Sequence, residues 1–269
     1  MVKKEQFEKY LRDLALSENT RKSYMFTLEQ YGGKYGDVTQ RKLGEYKGWL
    51  IENYKPRTVN LRLRAINCYL EFIGKDKWKI ASVRVQQKMF LENVISEADY
   101  TYFKTCLKDD GEMFWYFVIR FLAGTGARIS ELLQFKAEHV RMGYVDLYYK
   151  GGKLRRIYIP RDLQMEALEW LEEIQKTSGF LFVNRQKKRM TPRGIATQLK
   201  KFAEKYGIDT TVVYPHSFRH RFAKSFLERC NDISFLADLL GHESIETTRI
   251  YLRKTATEQK ALVDQSVDW

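Results

Sequence analysis

The chain has 269 residues, 44% of them hydrophobic and 30% charged, and a formal net charge of +13. That supplies apolar material for one large core or two smaller ones, and no apolar run is long enough to span a bilayer. The positive excess points to a polyanionic partner, nucleic acid above all, with an anionic membrane surface or plain solubility as the competing explanations. Residues 1–92 hold 19 Lys and Arg against 11 Asp and Glu, so the first third is the more basic per residue. The opening "MVKKEQFEKYL" is amphipathic and mixed in charge, without an apolar signal region, which predicts a cytoplasmic protein. Cys68, Cys106 and Cys230 are scattered, with no metal-ligand spacing, and read as reduced thiols.

The first ~75 residues read as helices separated by turn signals. "KKEQFEKYLRDLAL" places Phe7, Tyr10, Leu11 and Leu14 on one face. "SENTRKSYMFTLEQYGG" opens on Ser17 as N-cap and is expected to close on its paired glycines. "TQRKLGEYKGWLIENY" follows from Thr39, and a fourth helix starts near Pro56 and stops at Gly74. Four helices of this size suit a compact bundle. Residues 79–95 are basic and weakly patterned and read as a linker, with an extra element of either neighbour as the alternative.

A new helix is expected after Ser96, and "EMFWYFVIRFLAGTGA" is apolar on nearly all sides, which predicts a buried helix. "YVDLYYKGGKLRRIYIP" changes the period: β-branched and aromatic residues flank Gly151-Gly152, a hairpin signal. From Arg161 the pattern returns to helices, with one short strand expected at "FLFVN". The fold class is therefore mostly α with a small antiparallel β-sheet. A helical bundle is expected at 1–78, a linker at 79–95, and a mainly helical domain at 96–269.

Four segments carry candidate chemistry. In "GTGARISELL", Arg128 follows a glycine-rich helix end and either pairs with Glu131 in the interior or clamps an oxyanion. In "KGGKLRRI", Lys153 sits at a hairpin tip, as an ordinary turn lysine or one that reaches a ligand. In "YPHSFRHRFA", His216 shares a helix face with Arg219 and His220. Zinc is disfavoured there, because Ser217 stands where a metalloprotease motif needs Glu and the flanking arginines repel a cation. In "LLGHESIETTRIYL", His242 follows Gly241 and Tyr251 comes nine residues later; a tyrosine at helix spacing is ordinarily core.

Taken together the set has one chemical logic. Two arginines can clamp a phosphodiester's nonbridging oxygens, a lysine can protonate a leaving oxygen, histidines can assist a nucleophile, and a tyrosine can attack phosphorus. Such a set supplies its own positive charge, so no cofactor or metal is called for.

These segments, "GARISELL", "KGGKLRRIYIP", "HSFRH" and "LLGHESIETTRIYL", resemble in order the tyrosine recombinases, the phage-integrase family. Each motif is short and weak alone; six positions in the family's order make a specific match. Because the sequence starts directly with the bundle, without an arm-site domain, the resemblance is to short, Xer-like or invertase-like members. It implies an N-terminal SAM-like core-binding domain and a catalytic domain with Arg128, Lys153, His216, Arg219, His242 and Tyr251 as the catalytic set. Lys150, on the same hairpin, competes with Lys153 for the lysine role. Glu131 and His220 are expected to support.

The resemblance further implies a site-specific recombinase acting on duplex DNA core sites through a 3′-phosphotyrosyl link, serving integration, excision, inversion or resolution. Candidate DNA contacts are Thr20, Arg21 and Tyr24 on the second helix and Arg57, Asn60, Arg62 and Arg64 on the fourth. The expected assembly is a monomer in solution and a homotetramer on DNA in the nucleoid, with a directionality factor as an optional accessory and no membrane partner. The alternatives are a type IB-like topoisomerase, separable by relaxation of supercoiled DNA without a special site, and a catalytically vestigial DNA-binding protein, indifferent to loss of the Tyr251 hydroxyl. A third alternative, an RNA-binding module, has little support, because the sequence carries no aromatic-rich RNP-like strand.

The segment "TATEQKALVDQSVDW" after Tyr251 contains an amphipathic pattern in Leu262, Val263 and Val267, and in the family such a tail packs on a neighbouring protomer. Deleting the chain from Ala256 onward is expected to abolish recombination and spare single-site DNA binding, read in parallel by recombination and gel-shift assays. Normal recombination by the truncated protein overturns the tail exchange.

Overall fold

A computed structural model describes residues 4–85, 93–148, 154–242, 244–252, 263–264 and 266–267. Two compact units divide the chain, Met1–Gln87 and Lys88–Trp269.

The first unit holds α1 (Lys4–Asp13), α2 (Glu18–Tyr35), α3 (Gln40–Asn53) and α4 (Pro56–Phe72), then a short 3₁₀ turn at Asp76–Trp78. Ser17 and Thr39 cap α2 and α3 as expected, accepting from the Thr20 and Lys42 amides. The paired glycines do not end α2: the helix runs through Gly32 and Gly33 and stops at Gly36, whose φ of 68° a side chain would resist. Likewise α1 ends at Asp13, so Leu14 is exposed while Phe7 and Leu11 are buried.

The centre of the unit is α4, which buries Val59, Leu63, Ile66 and Leu70 against Tyr31, Tyr46 and Leu50. The buried tyrosines keep their hydroxyls bonded, Tyr46 donating to Gln30 Oε1 (2.9 Å) and Tyr31 to the Asp37 carbonyl (3.1 Å).

Residues 80–83, within the stretch read as a linker, run back along α4. Asn67 accepts from the Ile80 amide (2.8 Å) and donates to the Ile80 carbonyl (2.9 Å). Asn60 does the same for Val83, at 2.8 and 2.9 Å. The spacing explains the match: seven helical residues rise about 10.5 Å, and three extended residues cover about 10 Å. At the other end Ile95 is buried in the second unit, its amide donating to Ser217 Oγ (2.8 Å).

The second unit opens with α5 (Glu97–Asp109) and α6 (Met113–Thr125), then α7 (Ile129–Leu132) and α8 (Ala137–Met142). The hairpin strands β1 (Tyr144–Tyr148) and β2 (Leu154–Tyr158) follow, antiparallel, with Leu147 opposite Arg155. Then come α9 (Arg161–Glu173), α10 (Pro192–Lys205), α11 (Pro215–Arg229), α12 (Ile233–Leu240), α13 (Ile245–Thr248) and a closing 3₁₀ turn, Arg249–Leu252. The apolar α6 is the buried helix its composition predicts, with Phe117 stacked 4.4 Å from Trp170. Arg120, its one charge, pairs with Glu166 at 3.0 Å.

The expected strand at "FLFVN" is not formed. Phe180 and Val183 make only isolated bridges, to Lys136 and Arg189. Leu181 and Phe182 are buried, so the segment serves the core without a continuous partner edge to pair with. Of the tail pattern, Leu262 lies outside the described residues, and Val263 and Val267 are exposed.

Replacing Asn60 by Ala strips the Val83 amide and carbonyl of their partners, an expected loss of ~1–3 kcal/mol. Urea denaturation should show it, together with faster proteolysis near residue 83, whereas Arg57→Ala, at an exposed position, should leave both unchanged.

Candidate active site

The site is assembled around two helix ends. Helix α6 stops at Gly126 with φ 61°, where a Cβ would fall 2.5 Å from the Phe222 ring. Glycine is therefore required twice over, by backbone and by contact. The turn delivers Arg128 as N-cap of α7, and Glu131 reaches back to it. One Glu131 oxygen accepts the Arg128 amide at 2.6 Å and the other accepts Arg128 Nη1 at 2.9 Å. The ion pair foreseen for Arg128 is thus formed, and 38% of the Arg128 side chain still reaches solvent.

Glu131 itself is buried, and it gathers more than one cation. Arg155 Nη1 donates to Glu131 Oε1 at 2.5 Å, and Arg219 Nη1 lies 3.9 Å from Oε2. Arg155 and Arg219 are both buried.

The C-terminus of α12 supplies the second anchor. Gly241 takes φ 60°, and the amides of Gly241 and His242 bond back to the carbonyls of Asp238 (2.9 Å) and Ala237 (3.0 Å), a Schellman closure. The next three carbonyls each go to a different arginine. Leu239 accepts from Arg155 Nη2 (2.7 Å) and Nε (3.1 Å), Leu240 from Arg219 Nη2 (2.7 Å), and Gly241 from Arg128 Nη2 (3.3 Å). These are the carbonyls a helix end leaves without intrahelical partners, and its negative end favours cations.

His242 follows directly. Its Nε2 lies 3.0 Å from Arg219 Nη2 and its Nδ1 2.8 Å from Thr248 Oγ1. A guanidinium can only donate, so Nε2 accepts and Nδ1–H donates to Thr248. Burial first, then Arg219, Arg128 and Arg155, push the His242 pKa down to about 4.

His220 is similarly pushed down to about 4, by burial and then by His216 and Arg219. Its ring lies 4.3 Å from that of His216 and 5.3 Å from that of Tyr251, and its Nδ1 is buried without a hydrogen-bond partner. His216 stands at the rim, exposed in part, with its pKa lowered by the protein packed about it and by Arg219 and Arg128.

Tyr251 lies on the closing 3₁₀ turn, 4% exposed, packed on Ala223, Leu227, Leu236 and Leu240. Burial raises its pKa, opposed by the charges of Arg219 and Arg128. The same burial depresses Arg219, to about 10, with Arg128 and Arg155 adding to it.

Five residues singled out for catalysis therefore meet in one place: Arg128, His216, Arg219, His242 and Tyr251. Lys153, and its competitor Lys150, lie outside the described residues. Glu131 bonds Arg128, and His220 lies against His216 and Tyr251.

The contacts foreseen on the first unit divide. Arg57 and Arg64 are exposed; Thr20, Arg21 and Tyr24 are half-buried. Asn60 is a correction: it is buried, and its amide is committed to Val83, so it is no surface contact. Arg62 ties α4 to α2, donating to Thr27 Oγ1 at 2.8 Å with its guanidinium over the Phe26 ring.

Arg155 and Thr248 were not foreseen. Arg155 had a legible signal: it is in phase with Ile157, the other inward position of β2, and with the buried Ile159 just beyond, so alternation alone turns it inward. For Thr248 the sequence carried none.

A two-unit chain whose larger unit is helical, with one hairpin and an arginine-rich centre holding a buried tyrosine, has the catalytic-domain fold of the integrases. Residues 95–258 match the model of the phage integrase family. The tyrosine recombinase XerA of Pyrococcus furiosus is 30% identical over 97% of this chain and 93% of its own length. The tyrosine recombinase XerD of Vibrio cholerae is 28% identical over 91% of this chain and 88% of its own. In fold, the Tn1549 transposon integrase superposes with a TM-score of 0.72 over 99% of both chains, at 18% identity. The chain belongs to the phage integrase family, the tyrosine recombinases.

The buried imidazole of His220 and the half-buried one of His242 make stability pH-dependent. Their folded pKa values, about 4, lie below the ordinary 6.5. As pH falls through that window the unfolded chain takes up protons that the folded chain refuses, so stability falls from pH 6.5 toward 4 and is level above it. Thermal melts across this range should show the decline, and His220→Asn should flatten it.

Proposed function

We propose that Tyr251 is the nucleophile of a site-specific DNA recombinase and that Arg128, Lys153, His216, Arg219 and His242 serve it. The observation that carries this reading is the place of Tyr251 inside the cluster, its ring 5.3 Å from that of His220 and 6.3 Å from that of His242, the histidine that Arg219 bonds. A phosphate engaged by Arg128 and Arg219 would sit beside the attacking oxygen.

Tyr251 Oη attacks phosphorus and the bond to the 5′ oxygen breaks, leaving a 3′-phosphotyrosyl ester. The tyrosine proton passes to His216, whose lowered pKa leaves it neutral and able to accept at neutral pH. Lys153 gives a proton to the departing 5′ oxygen. Arg128, with part of its side chain open to solvent, and Arg219 stabilise the charge on the nonbridging oxygens. His242 donates to one of them from Nε2 once Arg219 turns to the phosphate and the ring proton moves from Nδ1 to Nε2, the Thr248 hydroxyl then donating to Nδ1. Attack by the 5′-hydroxyl of another strand reverses the chemistry and frees Tyr251. One phosphodiester replaces another, so no external energy source is required.

The substrate is duplex DNA. The Tn1549 integrase, XerH and lambda integrase structures that share the fold hold transposon-end, difH and core-site DNA respectively. The net charge of +13 favours the same partner here. The first unit, with Arg57 and Arg64 exposed, would serve as the core-binding half, residues 1–78, joined through 79–95 to the catalytic half, 96–269. Exchange between two duplexes needs four active sites, hence a homotetramer on DNA within the nucleoid, with a directionality factor where one orientation is favoured.

Nicked duplexes tiled across the DNA flanking this protein's own gene should trap a denaturant-resistant protein–DNA adduct. Tyr251→Phe should abolish it without unfolding the chain. An adduct that survives the substitution moves the nucleophile elsewhere.

A further inference from the structure

The three arginines of the cluster are not equivalent. Arg128 keeps part of its side chain in solvent, and Arg219 touches His242. Arg155 does neither. It is 6% exposed, and each of its three guanidinium nitrogens is bonded to protein: Nη1 to Glu131, Nε and Nη2 to the Leu239 carbonyl. Its stem lies against Gly241, where a Cβ would fall 2.5 Å from Arg155 Cδ.

These bonds join two segments far apart in sequence. On one side is the carboxylate that holds the backbone and side chain of Arg128; on the other is the helix end whose closure presents His242. Arg128 crosses the same gap itself, by a 3.3 Å bond to the Gly241 carbonyl, which is long and partly exposed. The shorter, buried bridge is Arg155.

We propose that Arg155 is a positioning residue of the active centre. By tying Glu131 to Leu239 it fixes Arg128 and His242 at one mutual distance, so that both can meet the same phosphate. This rests on the reading of Tyr251 as nucleophile. Arg155 touches no substrate. Its planar fork is what the role requires, since a carboxylate oxygen and a carbonyl must be held at once by donors set at a fixed angle. A lysine at this position would keep the charge and lose the bridge.

The test uses the full chain and whichever tiled, nicked duplex gives the adduct. Single-turnover cleavage at saturating protein is measured for wild type, Arg155→Gln, Arg155→Lys, Glu131→Gln and the Arg155→Gln/Glu131→Gln double variant, with duplex affinity and thermal melting for each. Arg155→Lys is included because it retains the charge that Arg155→Gln removes, should the latter fail to fold. Expected is a loss of about tenfold or more in the cleavage rate for both Arg155 variants, with affinity within about twofold of wild type. The double variant should be no slower than the worse single one, because both substitutions break the same bridge.

Cleavage by a folded Arg155→Lys within about twofold of wild type overturns the proposal, and so does a loss confined to affinity. Multiplicative losses in the double variant would also overturn it. An adduct formed by Tyr251→Phe would instead refute the nucleophile itself, so the two failures are distinguishable.

Discussion

One carboxylate and one helix end hold this active centre together. Glu131 has the guanidiniums of Arg128 and Arg155 on a single oxygen and that of Arg219 beside the other. Like charges this close repel, and in a buried setting water does little to screen them. The arrangement is stable because the carboxylate is shared and because the carbonyls of Leu239, Leu240 and Gly241 each absorb one guanidinium. Those carbonyls are available only because α12 ends in a Schellman closure at Gly241. The glycine is needed there for its backbone and because Arg155 lies where a side chain would be. Removal of either anchor would leave buried cations unpaired, the costliest kind of vacancy in a protein interior.

The burial that makes the cluster strong also sets the state of the groups around it. His220 and His242 are held neutral by burial and by the arginines. Neutrality and the Arg219 contact together fix the His242 tautomer, with Thr248 receiving the Nδ1 hydrogen. Tyr251 feels two opposing influences, burial raising its pKa and the guanidiniums lowering it, and burial prevails. The hydroxyl therefore stays protonated at neutral pH in the free protein.

The sequence made the scale of the fold and the identity of the site legible, for separable reasons. Helix starts were readable because caps are local: Ser17, Thr39 and Ser96 each accept a hydrogen bond within three residues. The end of α2 was misread because Gly32 and Gly33 are tolerated inside a helix that packs well, and only Gly36 takes a backbone that demands glycine. "FLFVN" looked like a strand because buried extended chain and ladder strand share a composition; what distinguishes them is a partner edge, which no local pattern encodes. Asn60 looks like a surface contact in sequence, because the seven-residue spacing to Asn67 has meaning only once residues 80–83 lie along the helix. The reactive residues stood out by type and order, whereas their supports, three backbone carbonyls and Thr248, are not visible in sequence.

The charge balance of the centre favours a doubly charged phosphorane over a bound diester. Among the described residues, three guanidiniums and one carboxylate, with His220 and His242 neutral, leave two positive charges uncompensated. A phosphodiester brings one negative charge, which cancels half of that excess. As an entering tyrosine oxygen and a departing 5′ oxygen share the phosphorus, a second negative charge develops across the same oxygens. The cluster is thus better matched in charge to the transition state than to the bound diester, and that difference lowers a barrier where equal binding of the two would not. The electrostatic strain of holding three arginines together in the free protein is relieved most fully at the moment of strand transfer.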